Sequence, residues 1–377
     1  MGRILIIGGA ASTLTFRRGL TGAEAGHEIY WYTARPDNLV DVPSNRIILM
    51  PSGRYPRWRN VYRLLDPIHL AWITRRFHID LIHVHYASQF LLPLGMCSRI
   101  PVVVTTMGGD ILVDQEFNGV WRPYLIRLML NRATVITAKS AFIGAAISRI
   151  NPAWEDKIER IIWGVNTEIF RPGLPTDHLR KKYDIPDNAI VFFDLRLAQS
   201  FYNKHLILRA FAQLDPSLNA ALLVSEYLGR KDYIHRLHEL AQSLSIAHRV
   251  HFVGGIDHAD MPAYLALATA IISIPVSDGM PQSLYEAMAC GAYPIMGDLP
   301  QYAEILKNDQ NSSLIPLGDE EATVTELRDT MYRVATDSEM RNRVCQANRA
   351  YIVKNADQSS QSTQVNAIYS RLMSSRR

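Results

Sequence analysis

Short apolar runs, rich in β-branched residues, alternate with longer amphipathic stretches along the chain. They fall at residues 3–7, 29–32, 80–85, 102–105, 134–138, 190–195, 220–224, 250–253, 270–274 and 293–296. A strand that is apolar throughout is buried on both faces, which is typical of a parallel sheet covered by helices. The pattern therefore predicts an α/β fold with two doubly wound, Rossmann-like sheets in tandem.

Proline and glycine cluster once between these runs, at residues 171–188. No periodicity holds there, which indicates a linker. We therefore expect an N-terminal domain over 1–172, a linker over 173–188 and a C-terminal domain over 189–355. The final stretch, 356–377, predicts a helix whose apolar residues share one face.

The composition is that of a globular protein, with 48% hydrophobic and 20% charged residues among 377. Its three cysteines are far apart and form no CxxC pair, so neither a disulfide framework nor a zinc site is expected. The apolar run at 4–7 is too short for a signal peptide. No stretch of the length needed for a transmembrane helix occurs. We expect a cytoplasmic protein.

Charge is distributed unevenly along the chain. Residues 1–175 hold 20 Arg and Lys against 13 Asp and Glu, a balance of +7, whereas the remainder balances at −3. Arginines and aromatic residues mix in the segment 54–63, around Trp58. This segment is either an ordinary exposed helix start or a surface for an anionic lipid or lipid-diphosphate acceptor. Nucleic acid is a weaker alternative, since no recognised motif accompanies the charge.

The segment 276–291 contains the clearest candidate chemistry, since a predicted strand leads there through a loop into a helix. Pro281 suits the first turn of that helix, where its missing N–H needs no partner. The free N–H groups of a first turn form an anion site suited to a diphosphate. Asp278 precedes the helix and Glu286 lies within it, so both carboxylates are placed to bind hydroxyl groups.

This segment resembles the signature of glycosyltransferase family 4, in which a carboxylate, seven residues and a glutamate precede Ala-Met-Ala-x-Gly. The resemblance extends over nearly the whole chain, in the family's order. Its other parts are Gly8-Gly9 with residues 26–28, then 105–111, 163–172 and 195–211. It implies a GT-B fold, in which two Rossmann-like domains face a central cleft. The N-terminal domain would hold the acceptor, the C-terminal domain the donor, and the last helix would pack back on the N-terminal domain.

The resemblance also implies roles for individual residues. Asp278 would contact the donor sugar and Glu286 the ribose, while Arg196 and Lys204 would neutralise the diphosphate. The remaining donor-binding positions would be Gly279, Met280, Pro281, Leu284 and Gly254. Two departures from the family are visible: Asp278 stands where glutamate is usual, and the spacing from Arg196 to Lys204 is longer than usual.

Three positions are candidates on the acceptor side. Gly9 follows the first predicted strand, but the GxGxxG spacing is missing, which disfavours a dinucleotide site. His85 ends a predicted strand, at the edge where open α/β sheets bind ligands. Asp110 follows two glycines in the loop after the next predicted strand. A structural role is an equal alternative for His85 and Asp110.

The resemblance thus implies a retaining glycosyltransferase that moves a sugar from a nucleotide diphosphate donor, expected to be a UDP-sugar. The acceptor would be a saccharide or a lipid-linked saccharide, in glycan or cell-surface polysaccharide synthesis. No Asp-x-Asp motif is visible, so we expect no metal and no cofactor. The protein would be cytoplasmic, with peripheral contact at the inner face of an anionic membrane. The alternatives are a sugar-nucleotide epimerase of the same fold, a sugar phosphorylase and a non-catalytic sugar-nucleotide-binding protein.

Overall fold

The chain divides into two compact units in the computed structural model, which describes residues 1–9, 13–33, 46–51, 63–87, 92–112 and 121–375. Unit 1 comprises Met1–Trp163 together with Ser359–Arg377, and unit 2 comprises Gly164–Gln358. Most of the arginine-rich segment predicted as a membrane surface, residues 54–62, lies outside the described residues.

Unit 1 contains a seven-stranded sheet whose strand pairs are all parallel. Its order is β3-β2-β1-β4-β5-β6-β7, with strands β1 (Arg3–Ile7), β2 (Glu28–Thr33), β3 (Ile47–Pro51), β4 (Leu81–His85), β5 (Val102–Thr105), β6 (Val135–Ala138) and β7 (Ile158–Arg160). Between them run the helices α1 (Thr13–Glu24), α2 (Asp66–Arg76), α3 (Gly109–Leu112), α4 (Trp121–Arg132) and α5 (Ala141–Ile150). Short 3-10 turns lie at Arg63–Leu65, Leu92–Gly95 and Pro152–Lys157.

Unit 2 contains a six-stranded sheet, again parallel throughout. Its order is β10-β9-β8-β11-β12-β13, with β8 (Ile190–Asp194), β9 (Ala220–Ser225), β10 (Val250–Val253), β11 (Ala270–Ser273), β12 (Tyr293–Gly297) and β13 (Ser313–Ile315). Its helices are α6 (Asp177–Lys182), α7 (Lys204–Ala212), α8 (Lys231–Ser243), α9 (Met261–Leu267), α10 (Gln282–Cys290), α11 (Glu320–Thr336) and α12 (Ser338–Asn355), with 3-10 turns at Ser200–Tyr202 and Pro300–Tyr302.

The predicted pair of doubly wound parallel sheets is confirmed. Strands such as β4, β5, β6 and β9 are buried along their whole length, as their mainly apolar sequences indicated. The sequence analysis missed β3, β7 and β13. All three are edge strands of three to five residues. β7 and β13 have three residues each, too few to produce a pattern, whereas the apolar residues 47–50 of β3 were not recognised as a strand.

Residues 173–188 are part of unit 2 rather than the linker that their proline and glycine content predicted. They include α6 and bury Leu179 and Ile185 in that unit. The Tyr183 and Tyr264 hydroxyls are hydrogen-bonded at 2.8 Å. The composition was a poor guide here because two apolar side chains suffice to dock so short a segment.

The last helix, α13 (Gln358–Ser374), packs on the sheet of unit 1. The apolar face predicted for it is buried, and consists of Val365, Ile368, Tyr369 and Leu372. These residues share a core with β1, β2, β5 and β6. The Tyr369 hydroxyl is also hydrogen-bonded to His83 Nδ1 at 2.5 Å, and His83 Nε2 contacts Thr105 Oγ1 at 2.7 Å.

Candidate active site

The strand order of unit 2 reverses between β8 and β11. The chain continues from β8 to β9 on one side of this point and from β11 to β12 on the other. Such a switch point opens a crevice at the carboxyl ends of parallel strands, and ligands bind there in open α/β sheets. Arg196 follows β8, and the loop carrying Asp278 follows β11. The topology therefore brings together two residues that are far apart in the sequence.

Asp278 is held by several partners in this crevice. Its Oδ2 forms an ion pair with Arg196 Nη2 at 2.9 Å and accepts a hydrogen bond from the Tyr302 hydroxyl at 2.9 Å. Its Oδ1 accepts from the Gly279 N–H at 2.7 Å. The Gln301 side-chain amide donates to the Asp278 carbonyl at 2.6 Å. The position and direction of this carboxylate are thus fixed.

Arg196 lies between Asp278 and an aromatic ring. Its guanidinium carbon is 4.8 Å from the centre of the Tyr202 ring, and Nη1 lies 3.5 Å from Ser283 Oγ in the first turn of α10. Burial opposes its charge, but the Asp278 carboxylate and the nearby tyrosine oxygens outweigh that effect and raise the pKa of Arg196. The crevice therefore contains a permanent cation beside a helix N-terminus.

Tyr302 supports this arrangement from the 3-10 turn after β12. Its side chain is fully buried, and burial, followed by the Asp278 charge, raises the pKa of Tyr302 far above its ordinary value. The hydroxyl consequently stays protonated and donates to Asp278. Sequence reasoning missed both Tyr202 and Tyr302. Tyr202 stands in the stretch compared with the family's Arg and Lys, whereas no sequence signal marked Tyr302.

The loop before α10 prepares an anion site. Pro281 precedes the helix in an extended conformation, so the first N–H groups of α10 point out of its end. The left-handed residue of this loop is Met280, with φ of 68°, although a glycine, Gly279, precedes it. Its side chain is buried. Non-glycine residues in this conformation cost roughly 1–3 kcal/mol and cluster at functional sites.

The other predicted donor positions are more scattered. Glu286 is buried within α10, and its Oε1 lies 3.5 Å from His258 Nε2. Gly254 follows β10, two strands away from β8 in the sheet, and a Cβ added there would meet no atom within 4 Å. Leu284 is buried as well, at 1% exposure.

Lys204 does not join this constellation, contrary to the prediction that it neutralises the diphosphate. Its side chain is 0% exposed, and Nζ pairs with Asp194 Oδ2 at 2.7 Å inside the domain. Burial lowers the pKa of Lys204, and the Asp194 charge opposes that shift. The extra residues between Arg196 and Lys204 form the 3-10 turn Ser200–Tyr202, which brings Tyr202 to Arg196 instead.

The acceptor-side candidates lie at the corresponding edge of the sheet in unit 1. Gly9 follows β1 and is exposed, and a Cβ there would meet nothing within 4 Å. His85 ends β4 but is buried, and its ring stacks on His83 at 4.3 Å. Asp110 is fully buried and accepts N–H groups from three backbone positions: Ala87, Met107 and Gly108. Asp110 therefore braces two loops and does not present its carboxylate at the surface.

Two kinds of feature are absent from the described part of the chain. No group of three or more His, Cys, Asp or Glu side chains is arranged to hold a metal ion there. No helix within the same ranges has both the length and the apolar character needed to cross a bilayer.

Comparison with known proteins agrees with the architecture. Residues 7–169 match the family described as Glycosyltransferase Family 4, and residues 175–357 match the family described as Glycosyl transferases group 1. N-acetyl-alpha-D-glucosaminyl L-malate synthase from Bacillus anthracis is 25% identical over 338 residues, which is 84% of this chain and 82% of the relative.

Two solved structures show the same fold. Sucrose-phosphate synthase from Thermosynechococcus elongatus superposes with a TM-score of 0.80 at 17% identity, covering 100% of both chains. Anabaena HepE, solved in complex with UDP and glucose, gives a TM-score of 0.79 at 16% identity, covering 98% of this chain and 100% of the other.

Proposed function

Because the chain belongs to glycosyltransferase family 4, we propose that it transfers a sugar with retention of configuration from a UDP-sugar to a saccharide or lipid-linked saccharide. The product would be part of a glycan or a cell-surface polysaccharide. The observation that carries this proposal is the pairing of Arg196 with Asp278 next to the free N-terminus of α10. The cation suits the diphosphate of such a donor, and the carboxylate suits its sugar hydroxyls. The helix amides suit the negative charge that builds on the diphosphate as it leaves.

The leaving group determines where catalysis is needed. Departure of a nucleoside diphosphate builds negative charge on phosphate oxygens, and fixed positive groups in a dry site stabilise that charge. Arg196 has five N–H donors, of which Asp278 takes one at Nη2, so others remain for phosphate. We propose that Arg196 and the first amides of α10 perform this task without a metal ion.

Retention fits a front-face attack in which the leaving phosphate accepts the proton of the acceptor hydroxyl. In this scheme the protein supplies no nucleophile. Asp278 binds a hydroxyl of the transferred sugar through the lone pairs that Arg196, Tyr302 and Gly279 leave free. Because aspartate is one methylene shorter than glutamate, we expect its reach to favour a different hydroxyl arrangement from that of relatives with glutamate.

The donor's nucleoside would be bound by Glu286, through the ribose hydroxyls. UDP is the proposed nucleotide because HepE, which shares the fold, was solved with UDP and glucose. For the acceptor, the relative from Bacillus anthracis is named for an L-malate product, so a small anionic acceptor is the first soluble compound to compare with lipid-linked saccharides. We place the reaction at the cytoplasmic face of a membrane.

The test starts with donor binding and proceeds to transfer. Thermal unfolding is measured with a panel of nucleotides and sugar nucleotides, since a ligand at 100 times its dissociation constant adds about 2.7 kcal/mol of stability. The stabilising donor is then incubated with candidate acceptors, with and without EDTA. We expect acceptor-dependent release of UDP that EDTA does not abolish. Free epimer without acceptor, phosphate-dependent turnover, or binding without any reaction would each contradict the proposal.

A further inference from the structure

A cluster of large apolar side chains is exposed on unit 1, at the start and along one side of α2. The fractional exposures are 54% for Leu64, 51% for Leu65, 68% for Ile68, 53% for Trp72 and 64% for Leu94. Single exposed apolar residues need no explanation, but a contiguous patch marks an interaction surface. We call this cluster, with Arg75 and Arg76, the α2 face.

The α2 face is a shaped surface and not a loosely packed one. A groove of about 800 Å³ runs between α2 and the 3-10 turn Leu92–Gly95, and Ile68, Trp72 and Leu94 line it. The turn is packed so closely on the helix that a Cβ on Gly95 would lie 2.1 Å from the Pro67 carbonyl oxygen. The apolar side chains are therefore held in place while their outer surfaces remain in solvent.

The charges of the α2 face have one sign. Arg75 and Arg76 are exposed in the last turn of α2 and line the same groove. Within the described part of the chain, neither forms an ion pair with a carboxylate. The single acidic residue of α2, Asp66, accepts the Tyr32 hydroxyl at 2.8 Å, so part of its hydrogen-bonding capacity is already used.

The apolar and basic residues of the α2 face favour a lipid bilayer over a second copy of the chain as its binding partner. Exposed aliphatic residues, a half-exposed tryptophan and two arginines without a carboxylate partner among the described residues suit the boundary of an anionic bilayer, where the rings sit at headgroup level and arginines bind phosphate. A second copy of the chain is a poorer match, because a two-fold contact uses the same patch twice. The described part of α2 offers its two arginines only Asp66, whose carboxylate already accepts the Tyr32 hydroxyl.

We propose that unit 1 binds the surface of an anionic phospholipid bilayer through the α2 face, with Ile68, Trp72 and Leu94 in the interface and Arg75 and Arg76 on lipid phosphates. The attachment is peripheral and reversible. It goes beyond the transfer reaction, and its test does not depend on catalytic activity. If the acceptor is lipid-linked, the same attachment delivers the enzyme to it.

The experiment uses the full chain with vesicles of phosphatidylcholine, alone or mixed with phosphatidylglycerol, in low and high salt. Two variants remove the two parts of the surface: Ile68→Ser with Trp72→Ser, and Arg75→Gln with Arg76→Gln. The matched controls are Tyr332→Ser and Arg343→Gln, exposed positions on α11 and α12 of unit 2. Cosedimentation measures binding, and thermal unfolding verifies that every variant is folded.

We expect the wild-type chain to bind the anionic vesicles at low salt and to be released by salt. Each basic residue near an anionic surface strengthens binding roughly fivefold, so the double arginine variant should bind more than about tenfold more weakly. The apolar variant should lose binding even at low salt, and both controls should bind like wild type. The proposal is overturned if wild type ignores anionic vesicles, or if both α2 variants bind as well as the controls. Concentration-dependent dimers that the α2 variants abolish, without vesicle binding, would assign the face to self-association instead.

Discussion

At the scale of single residues, Asp278 and Arg196 each serve two partners. The carboxylate must keep the guanidinium in place and still bind a sugar hydroxyl, while the guanidinium must meet phosphate without leaving the carboxylate. Tyr302 makes this feasible because its hydroxyl fixes the carboxylate from the buried side. It touches neither ligand in the proposed scheme and is therefore a positioning residue.

Tyr302→Phe tests that role. Hydrogen bonds to charged groups contribute about 1.5–3 kcal/mol, so transfer should slow by roughly tenfold to a hundredfold. We expect the loss in kcat, with UDP binding by calorimetry little changed, because Asp278 is proposed to contact the sugar and not the nucleotide. Tyr293→Phe is the control, since that buried hydroxyl bonds to Ser313 at 3.0 Å, away from the crevice. Equal losses of UDP affinity and kcat in Tyr302→Phe would contradict the assignment.

The roles of the Asp278 and Glu286 carboxylates can be distinguished by comparing the binding of UDP and of a UDP-sugar. Glu286→Gln should weaken UDP and UDP-sugar alike, by about tenfold, because the ribose is common to both. Asp278→Ala should weaken the UDP-sugar more than UDP. Titration calorimetry with both ligands measures the difference. If the two ligands lose affinity equally in Asp278→Ala, the carboxylate does not bind the sugar.

Lys204 illustrates where a family pattern misleads. Its ammonium is buried on Asp194, so its contribution should appear in folding. Lys204→Ala leaves a buried carboxylate unpaired and should cost about 3–5 kcal/mol of unfolding free energy, measured in urea. Replacing both partners by Met and Leu should recover much of that loss. The double variant, once shown to be folded, should have a donor KM near the wild-type value. A donor KM raised by orders of magnitude would place Lys204 in the donor site.

At the scale of elements, α13 contributes four buried side chains to a core of unit 1 that it shares with α1 and the sheet. Tyr369 and Leu372 hold it by different interactions, one through His83 and one by packing. Leu372→Ala should lower the unfolding free energy by about 2–5 kcal/mol, and Tyr369→Phe by about 1–3 kcal/mol. Urea unfolding followed by circular dichroism measures both. Tyr351→Phe, on α12 in unit 2, is the control and should change little.

Elements were also what the sequence predicted best. Buried central strands are recognisable because most of their side chains are apolar, and the run 102–105 coincides with β5. The start of α10 was predicted to within one residue, because Pro281 suits a first helical turn. The edge strand β7 was not predicted because three residues with mixed side chains produce no pattern. Tyr302 escaped because its role depends on where β12 ends relative to Asp278, which only the folded sheet determines.

At the scale of the whole molecule, a histidine links the first residues of the chain to pH. His27 Nδ1 accepts the Gly2 N–H at 3.2 Å, and burial, followed by the positive N-terminus, lowers the pKa of His27. A pKa lower in the folded state means that stability is present above the ordinary value near 6.5 and is lost as pH falls below it. Wild type should therefore lose stability from pH 7 to 5 more steeply than His27→Gln. If the unfolding free energies of the two proteins, measured in urea, change equally from pH 7 to 5, then His27 is not responsible.

The division of the chain between the units has a consequence for biosynthesis. Unit 2 is one continuous stretch, but unit 1 needs residues 359–375, which are made after all of unit 2. During translation the core that α13 shares with the sheet of unit 1, which includes Ile4 and Val103, stays incomplete until the ribosome has made the other unit. Domains that are contiguous in sequence can fold as they emerge. The later unit should thus finish folding before the earlier one, and the nascent chain should depend on chaperones in the interval.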